Sequence, residues 1–240
     1  MIETFPTIDV WADAAAHRLA AALEEGLRDP AQNGWAVFAG AGGSTPEPIY
    51  QRLSNLRSYP AWQHTFVTLV DERYVPETSP ESNAALLKRT LLRNEAKGAE
   101  FLPLFRSAVT VDRAAALATH ELTVELENNR LDAVLLGMGE DGHICSIFPG
   151  SPTLTTLLTP GLKPAVYGVP AGRDGAAPPQ ERLTLNLPWL VSARRVVLAL
   201  TGAEKRAVFE REAAGDPAVS PIAALIAQDA PLEVLWTEAG

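Results

Sequence analysis

Leu131-Asp132-Ala133-Val134-Leu135-Leu136-Gly137-Met138-Gly139-Glu140-Asp141-Gly142-His143 decides how the chain is read. Five of the first six residues are apolar and run straight into glycines at 137, 139 and 142, the pattern of a buried strand ending in a tight, ligand-facing loop. Glycine permits positive φ and close backbone approach. The loop then delivers Asp141 and His143, and an imidazole is the side chain best suited to moving a proton near neutral pH. The spacing matches Gly-x-Gly-x-x-Gly, but a dinucleotide site is disfavoured. His143 leads into Ile144-Cys145-Ser146-Ile147-Phe148-Pro149 rather than a long helix, and no acid ends a strand about twenty residues on.

Three further stretches share this grammar. Trp35-Ala36-Val37-Phe38-Ala39 is a short apolar strand followed by Gly40-Ala41-Gly42-Gly43-Ser44-Thr45-Pro46 and a helical pattern through Leu56. Free N–H groups and the positive end of a helix dipole at such a turn make an anion site, with Ser44 or Thr45 near the cap. It is not a P-loop, because no Gly-Lys-Ser/Thr follows. Thr65–Val70 is another buried strand, ending in Asp71-Glu72-Arg73-Tyr74-Val75, where Arg73 either clamps an anion or pairs with Asp71 or Glu72 at the surface. Arg195–Leu200 is a third, ending in Thr201-Gly202-Ala203-Glu204-Lys205-Arg206. Lys205 near a helix start opposes the dipole unless something negative sits nearby, so it reads as a phosphate contact, with a solvated lysine as the plainer alternative. If these strands lie parallel, the four loops converge on one rim.

The remaining chain reads as scaffold. Helical spacing predicts a helix over Asp9–Arg28 capped at Asp9, another over Ser82–Leu92, and a third over Val111–Asn129. Phe101–Leu104 reads as an edge strand because of Pro103. Ala165–Val169 and Arg182–Leu185 read as short strands, Ile222–Gln228 as a helix, and Leu232–Trp236 as the strand that closes the sheet. Pro170–Gln180, rich in Gly, Ala and Pro, reads as a long mobile loop. His17, His64 and His120 stand away from the predicted rim and receive no role.

Composition limits the function. The 240 residues, 47% hydrophobic and 20% charged, suit one α/β domain over 1–240. No apolar run reaches the roughly eighteen residues of a membrane span, and Met1–Pro6 lacks a signal-peptide pattern, so a cytoplasmic protein is expected. The single cysteine, Cys145, excludes an internal disulfide or a cysteine-based zinc site and is expected to be a free buried thiol. A net charge of −9 argues against a nucleic-acid surface, though cations focused in a cleft can still bind a small anion.

The motifs at Gly42–Pro46, Asp71–Val75, Gly137–His143 and Thr201–Arg206 together resemble the 6-phosphogluconolactonase family, in order and over nearly the whole chain. The resemblance implies a modified doubly wound, Rossmann-like α/β fold, a mainly parallel sheet with helices on both faces, and no required metal or nucleotide cofactor. It implies hydrolysis of 6-phospho-D-glucono-1,5-lactone to 6-phosphogluconate in the oxidative pentose phosphate pathway, by a monomer or small homo-oligomer acting on a small phosphorylated sugar lactone. On this reading His143 activates water and then protonates the ring oxygen, Asp141 orients it, and Asp71 binds a sugar hydroxyl. Gly42, Gly43, Ser44, Arg73 and Lys205 hold the phosphate, and the loop amides, with Gly139 and Gly142, stabilise the oxyanion. Arg173 or Arg182 supplies a further contact. The related glucosamine-6-phosphate deaminases typically carry tyrosine at the place of Arg73 and an acid at the place of Phe148, so both positions favour the lactonase over an amino-sugar-phosphate deaminase or isomerase. A non-catalytic sugar-phosphate sensor is the third reading; the chain has no spare basic helix-turn-helix segment, and such a domain would not need His143.

Overall fold

The computed structural model describes residues 2–59, 61–127, 130–172 and 179–239. In chain order the elements are β1 (Ile2–Phe5), α1 (Ile8–Arg28), β2 (Ala36–Gly40), α2 (Glu47–Ser54), β3 (Thr65–Leu69), β4 (Asp71–Arg73), α3 (Asn83–Thr90), β5 (Glu100–Phe101) and α4 (Val111–Glu125). There follow β6 (Ala133–Leu136), α5 (Leu154–Leu158), β7 (Val166–Val169), β8 (Arg182–Leu185), α6 (Leu187–Val191), β9 (Arg195–Thr201), α7 (Ala203–Ala213), α8 (Pro221–Ala227) and β10 (Leu232–Thr237).

Seven strands form one sheet in the order β1-β10-β9-β6-β2-β3-β5, and each neighbouring pair is parallel. Every residue of β2 and of β3 is buried. Because successive side chains point to opposite faces, the centre of the sheet is covered on both. The four strands whose loops carry the sequence motifs are the contiguous neighbours β9, β6, β2 and β3. From β2 the chain crosses to β3 on one side, whereas from β6 it next enters this sheet at β9 on the other. The loops leaving adjacent β2 and β6 therefore diverge, and the crevice between them is where an open α/β sheet admits a ligand.

Helix α1 packs through Trp11, Ala15, Ala16, Leu19 and Leu23, all buried, onto the sheet. Its small residues let it approach closely: a Cβ on Gly26 would meet Cγ of Asp132 at 2.3 Å. Asp132 is fully buried and ties the amino-terminal ends of three strands, accepting hydrogen bonds from the Val37 amide (2.8 Å), Gln32 Nε2 (2.9 Å) and Arg194 Nε (3.1 Å). Burial raises its pKa, and these donors oppose the rise.

Several boundaries differ from the sequence reading. Thr7, not Asp9, caps α1, its hydroxyl accepting from the Val10 amide at 3.2 Å. Val10 is accordingly exposed, and Trp11 takes the buried position. The sheet is closed by β1, a strand the sequence did not announce, so β10 lies between β1 and β9. Helix α2 begins at Glu47 with Pro46 at its cap and no side-chain capping bond, so neither Ser44 nor Thr45 caps it. Helix α4 ends at Glu125, short of the expected Asn129, which itself lies outside the described residues.

The largest difference is a second, three-stranded antiparallel sheet, β4-β8-β7. It joins the first at a corner, where the Leu185 amide donates to the Val70 carbonyl at 2.9 Å. Asp71, Glu72 and Arg73 thus lie in a strand rather than a loop. The described residues include no helix long and apolar enough to cross a membrane.

Candidate active site

A cleft of about 240 Å³ opens at the carboxyl ends of the four central strands. The turn after β2 contributes Gly42, Gly43 and Ser44; the corner after β3 contributes Asp71 and Arg73; the loop after β6 contributes Gly139 and His143; the start of α7 contributes Lys205. Asn83, Cys145 and Arg182 also line the wall. Asp141 and Gly142 do not line it. Arg173 lies outside the described residues, as does part of the Pro170–Gln180 loop. His17, His64 and His120 are exposed and outside this wall.

The loop after β6 is built to hold one ring. Asp141 Oδ1 lies 2.5 Å from His143 Nδ1 and also accepts the His143 amide at 3.1 Å. Phe148, itself buried, packs against the imidazole with ring centroids 4.3 Å apart. Gly139 is required by this packing, since a Cβ there would fall 2.3 Å from Nδ1 and Cε1 of His143. Partial burial pushes the Asp141 carboxyl up, but the hydrogen bond and charge of His143 outweigh it, and the net shift is downward. An ionised carboxylate can only accept, so Nδ1 carries a proton, and in the neutral form of the ring the lone pair then sits on Nε2.

The loop amides are committed elsewhere. Gly139 N–H donates to the His143 carbonyl (2.9 Å), Gly142 N–H to the Gly139 carbonyl (3.1 Å), and His143 N–H to Asp141. These three donors hold the loop's own shape, so the sequence expectation that Gly139, Gly142 and their neighbours face an oxyanion is corrected for them.

The turn after β2 is held from below by Tyr50 of α2, whose buried hydroxyl donates to the Ala41 carbonyl at 2.6 Å. Gly42 must lack a side chain because a Cβ would stand 1.9 Å from Asn83 Oδ1. The Ser44 hydroxyl is exposed at the mouth and makes no hydrogen bond within the described residues. Lys205 Nζ donates to the Met138 carbonyl at 2.6 Å, so it is a placed ammonium at the cleft wall rather than a solvated lysine.

The acidic pair Asp71-Glu72 divides by strand alternation. Glu72 turns away from the cleft and caps α3, accepting from the amides of Asn83 (2.7 Å) and Ala84 (2.8 Å) and from Ser82 Oγ (3.0 Å). Burial raises its pKa against those bonds. Asp71 faces the cleft but is engaged: Oδ2 accepts from Ser146 Oγ at 2.6 Å, Oδ1 from Asn83 Nδ2 at 3.3 Å, and Arg182 Nη1 stands 3.7 Å from Oδ2.

Arg73 makes no ion pair with Asp71 or Glu72, the surface pairing its sequence neighbours suggested. Its Nη1 donates to the Glu81 carbonyl at 2.5 Å. Nε of Arg73, Nε of Arg182 and Oδ1 of Asn83 are all buried without a hydrogen-bond partner. Buried polar groups left unpaired are costly, and the gathering of two guanidinium donors and one amide acceptor on one wall marks a place for a ligand that carries acceptors and a hydroxyl donor. Asn83 and Arg182 are the site residues sequence reasoning underweighted. The Ser82 cap before α3 was a local sign for the first, and the strand at 182–185 for the second, but neither told which wall they face.

The lining holds three cations, Arg73, Arg182 and Lys205, against the single carboxylate of Asp71. In a chain of net charge −9 this is a local positive focus suited to a small anion. Among the described residues no group of three or more His, Cys, Asp or Glu side chains is arranged to hold a metal ion. Cys145 is a free, buried thiol, as the sequence suggested, and burial pushes its pKa well up.

Known proteins share this arrangement of elements. The sequence profile described as "Glucosamine-6-phosphate isomerases/6-phosphogluconolactonase" matches residues 6–236. The chain is 38% identical to a 6-phosphogluconolactonase of Caulobacter vibrioides over 238 residues, covering 99% of this chain and 97% of that protein. It is 40% identical to one from Rhizobium meliloti over 227 residues, covering 94% and 91%. Among solved structures, the crystal structure of a 6-phosphogluconolactonase from Shewanella baltica superposes with a TM-score of 0.86 at 32% identity, covering 99% of this chain and 97% of that one.

Proposed function

The chain belongs to the glucosamine-6-phosphate isomerase/6-phosphogluconolactonase family, and from that membership we propose that it hydrolyses 6-phospho-D-glucono-1,5-lactone to 6-phospho-D-gluconate, with His143 moving the protons. The observation that carries this reading is His143, its Nδ1 2.5 Å from Asp141 Oδ1, lining a cleft that holds three cations against one carboxylate.

In the first step Nε2 of neutral His143 takes a proton from water as the water oxygen bonds to C1, and the carbonyl π pair moves onto oxygen. In the second step that pair re-forms the carbonyl, the bond from C1 to the ring oxygen breaks, and the imidazolium hands its proton to the departing oxygen. The acid so formed loses its proton to solvent. Asp141 keeps Nδ1 protonated and offsets the imidazolium charge between the steps. Remote binding of the 6-phosphate by Ser44, the Gly42–Gly43 turn, Arg73 and Lys205 fixes C1 against the base. Asp71, already held by Ser146, Asn83 and Arg182, acts by keeping those groups in place, with a sugar hydroxyl as its only further partner.

Phe148 supports the lactonase over the deaminase reading, since an apolar ring rather than a second acid packs on the imidazole. The positive focus within an acidic chain supports a small phosphorylated sugar rather than nucleic acid as partner. Residues 1–240 are taken as one catalytic domain, which the pairing of the first strand, β1, with the last, β10, supports. The test supplies freshly generated lactone and follows 6-phosphogluconate formation; a rate no higher than spontaneous hydrolysis would reject the function.

A further inference from the structure

Resting on that hydrolase reading, we infer that Arg182 is a catalytic residue at the reacting end of the cleft, its guanidinium donating to the oxygen of C1 as negative charge develops there and then to the product carboxylate.

Three observations converge on this residue. First, Arg182 and His143 share a neighbour in Phe148 and line the same cleft. Its Cζ lies 5.9 Å from the centroid of the Phe148 ring, the same ring that packs 4.3 Å from the imidazole of His143. Second, its donors are under-used. Nε is buried without a partner, and its ion pair among the described residues, Nη1 to Asp71 Oδ2, is 3.7 Å long, beyond a normal hydrogen bond. Asp71 cannot readily supply more, because the same Oδ2 already takes the Ser146 hydroxyl at 2.6 Å. Third, Arg182 is the cross-strand partner of Arg73 in the β4–β8 pair, so a second guanidinium flanks it. Like charges directly opposite in a sheet repel. Burial and Arg73 accordingly depress its pKa against the pull of Asp71.

The loop cannot take this role through the amides that hold its shape, since Gly139, Gly142 and His143 donate internally. The chemistry places anionic charge twice at the same atom group: on the tetrahedral oxygen after water adds, and on the carboxylate after the ring opens. A planar, permanently charged fork meets both. Arg73, by contrast, reaches toward α3, donating to the Glu81 carbonyl. The cross-strand pair therefore divides the substrate, with Arg73 at the phosphate end and Arg182 at C1.

The experiment compares Arg182→Gln and Arg182→Lys with wild type in two arms. In the kinetic arm, kcat for the phosphorylated lactone falls roughly 10²- to 10³-fold in Arg182→Gln, the usual loss for one oxyanion donor, with KM changed less than about threefold. Arg182→Lys recovers part of the rate. In the binding arm, read by calorimetry without turnover, 6-phosphogluconate binds the variants at least about tenfold more weakly. Glucitol 6-phosphate, which has the phosphate but no carboxylate, binds as to wild type. Loss of glucitol 6-phosphate binding, or a raised KM with unchanged kcat, would make Arg182 a phosphate ligand and overturn the assignment. Unchanged kinetics and binding would overturn it too, while leaving the lactonase reading intact. If Arg182→Gln does not fold, Arg182→Lys decides through the same comparison of the two ligands. A wild-type protein without lactonase activity would overturn both readings together.

Discussion

Asp141 grips His143 twice with one oxygen, Oδ1, which accepts both the backbone amide and Nδ1 of the same residue. The double contact sets the ring's orientation and its tautomer together. Replacing Asp141 by Asn keeps the shape but lets an amide nitrogen meet Nδ1, which favours the wrong tautomer. Asp141→Asn is expected to lower kcat roughly 10²- to 10⁴-fold with KM nearly unchanged. Steady-state kinetics check this; a kcat within threefold of wild type would mean that the ring orients itself.

The same pair predicts a pH effect. The folded-state pKa of Asp141 is lowered from 3.8, so the stability it contributes is fully present above that value and disappears as pH falls through the lower folded value. The carboxylate is about half exposed (54%), so the effect is small. Acid titration of wild type against Asp141→Asn should show the two stabilities converging only at the acid end.

Gly139→Ala tests the packing of the loop against its chemistry. The new methyl group would sit 2.3 Å from His143 Nδ1, so the imidazole must move while the strand beneath stays buried. Activity is expected to fall at least tenfold, because a displacement of about 1 Å at a reacting group can cost that much or more. Thermal melting should change little; a large loss of stability with normal kcat per folded molecule would contradict the account.

Lys205→Ala should act on the phosphate. A charge-assisted hydrogen bond contributes about 1.5–3 kcal/mol, so KM for the phosphorylated lactone should rise roughly ten- to hundredfold. Hydrolysis of unphosphorylated glucono-1,5-lactone should be unaffected. Equal losses on both substrates would show instead that Lys205 matters through the Met138 carbonyl it holds.

Far from the cleft, Asp132→Ala removes the carboxylate shared by Val37, Gln32 and Arg194. Breaking a buried pair by deleting one partner costs about 3–5 kcal/mol, and chemical denaturation should show a loss of that size. The folded fraction should keep its kcat, since Asp132 lies at the amino-terminal ends of strands whose other ends form the site.

These features differ in how far a reader of the sequence could have reached them. The four central strands were legible because each is a short run dominated by apolar residues, as a parallel sheet buried on both faces requires. Their loops were legible because glycine and charged residues follow at once. The second sheet was not, since β4 is the polar triplet Asp71–Arg73 and its partner Arg182–Leu185 lies more than a hundred residues away. For the same reason Arg182 stayed one of two candidates for a further contact, and Asn83 was read only as part of a helix. Only long-range register places Arg182 opposite Arg73, and only the capping of α3 by Glu72 turns Asn83 toward Asp71. The amides of Gly139, Gly142 and His143 do not face an oxyanion, because hydrogen bonding within the loop has already claimed them.

Proton transfer by His143 is the step on which hydrolysis depends. In a coupled assay that follows 6-phosphogluconate from freshly generated lactone, with spontaneous opening subtracted, His143→Ala is expected to retain about 10⁻² to 10⁻⁴ of the wild-type kcat while still binding 6-phosphogluconate. Turnover close to wild type in that variant would contradict it.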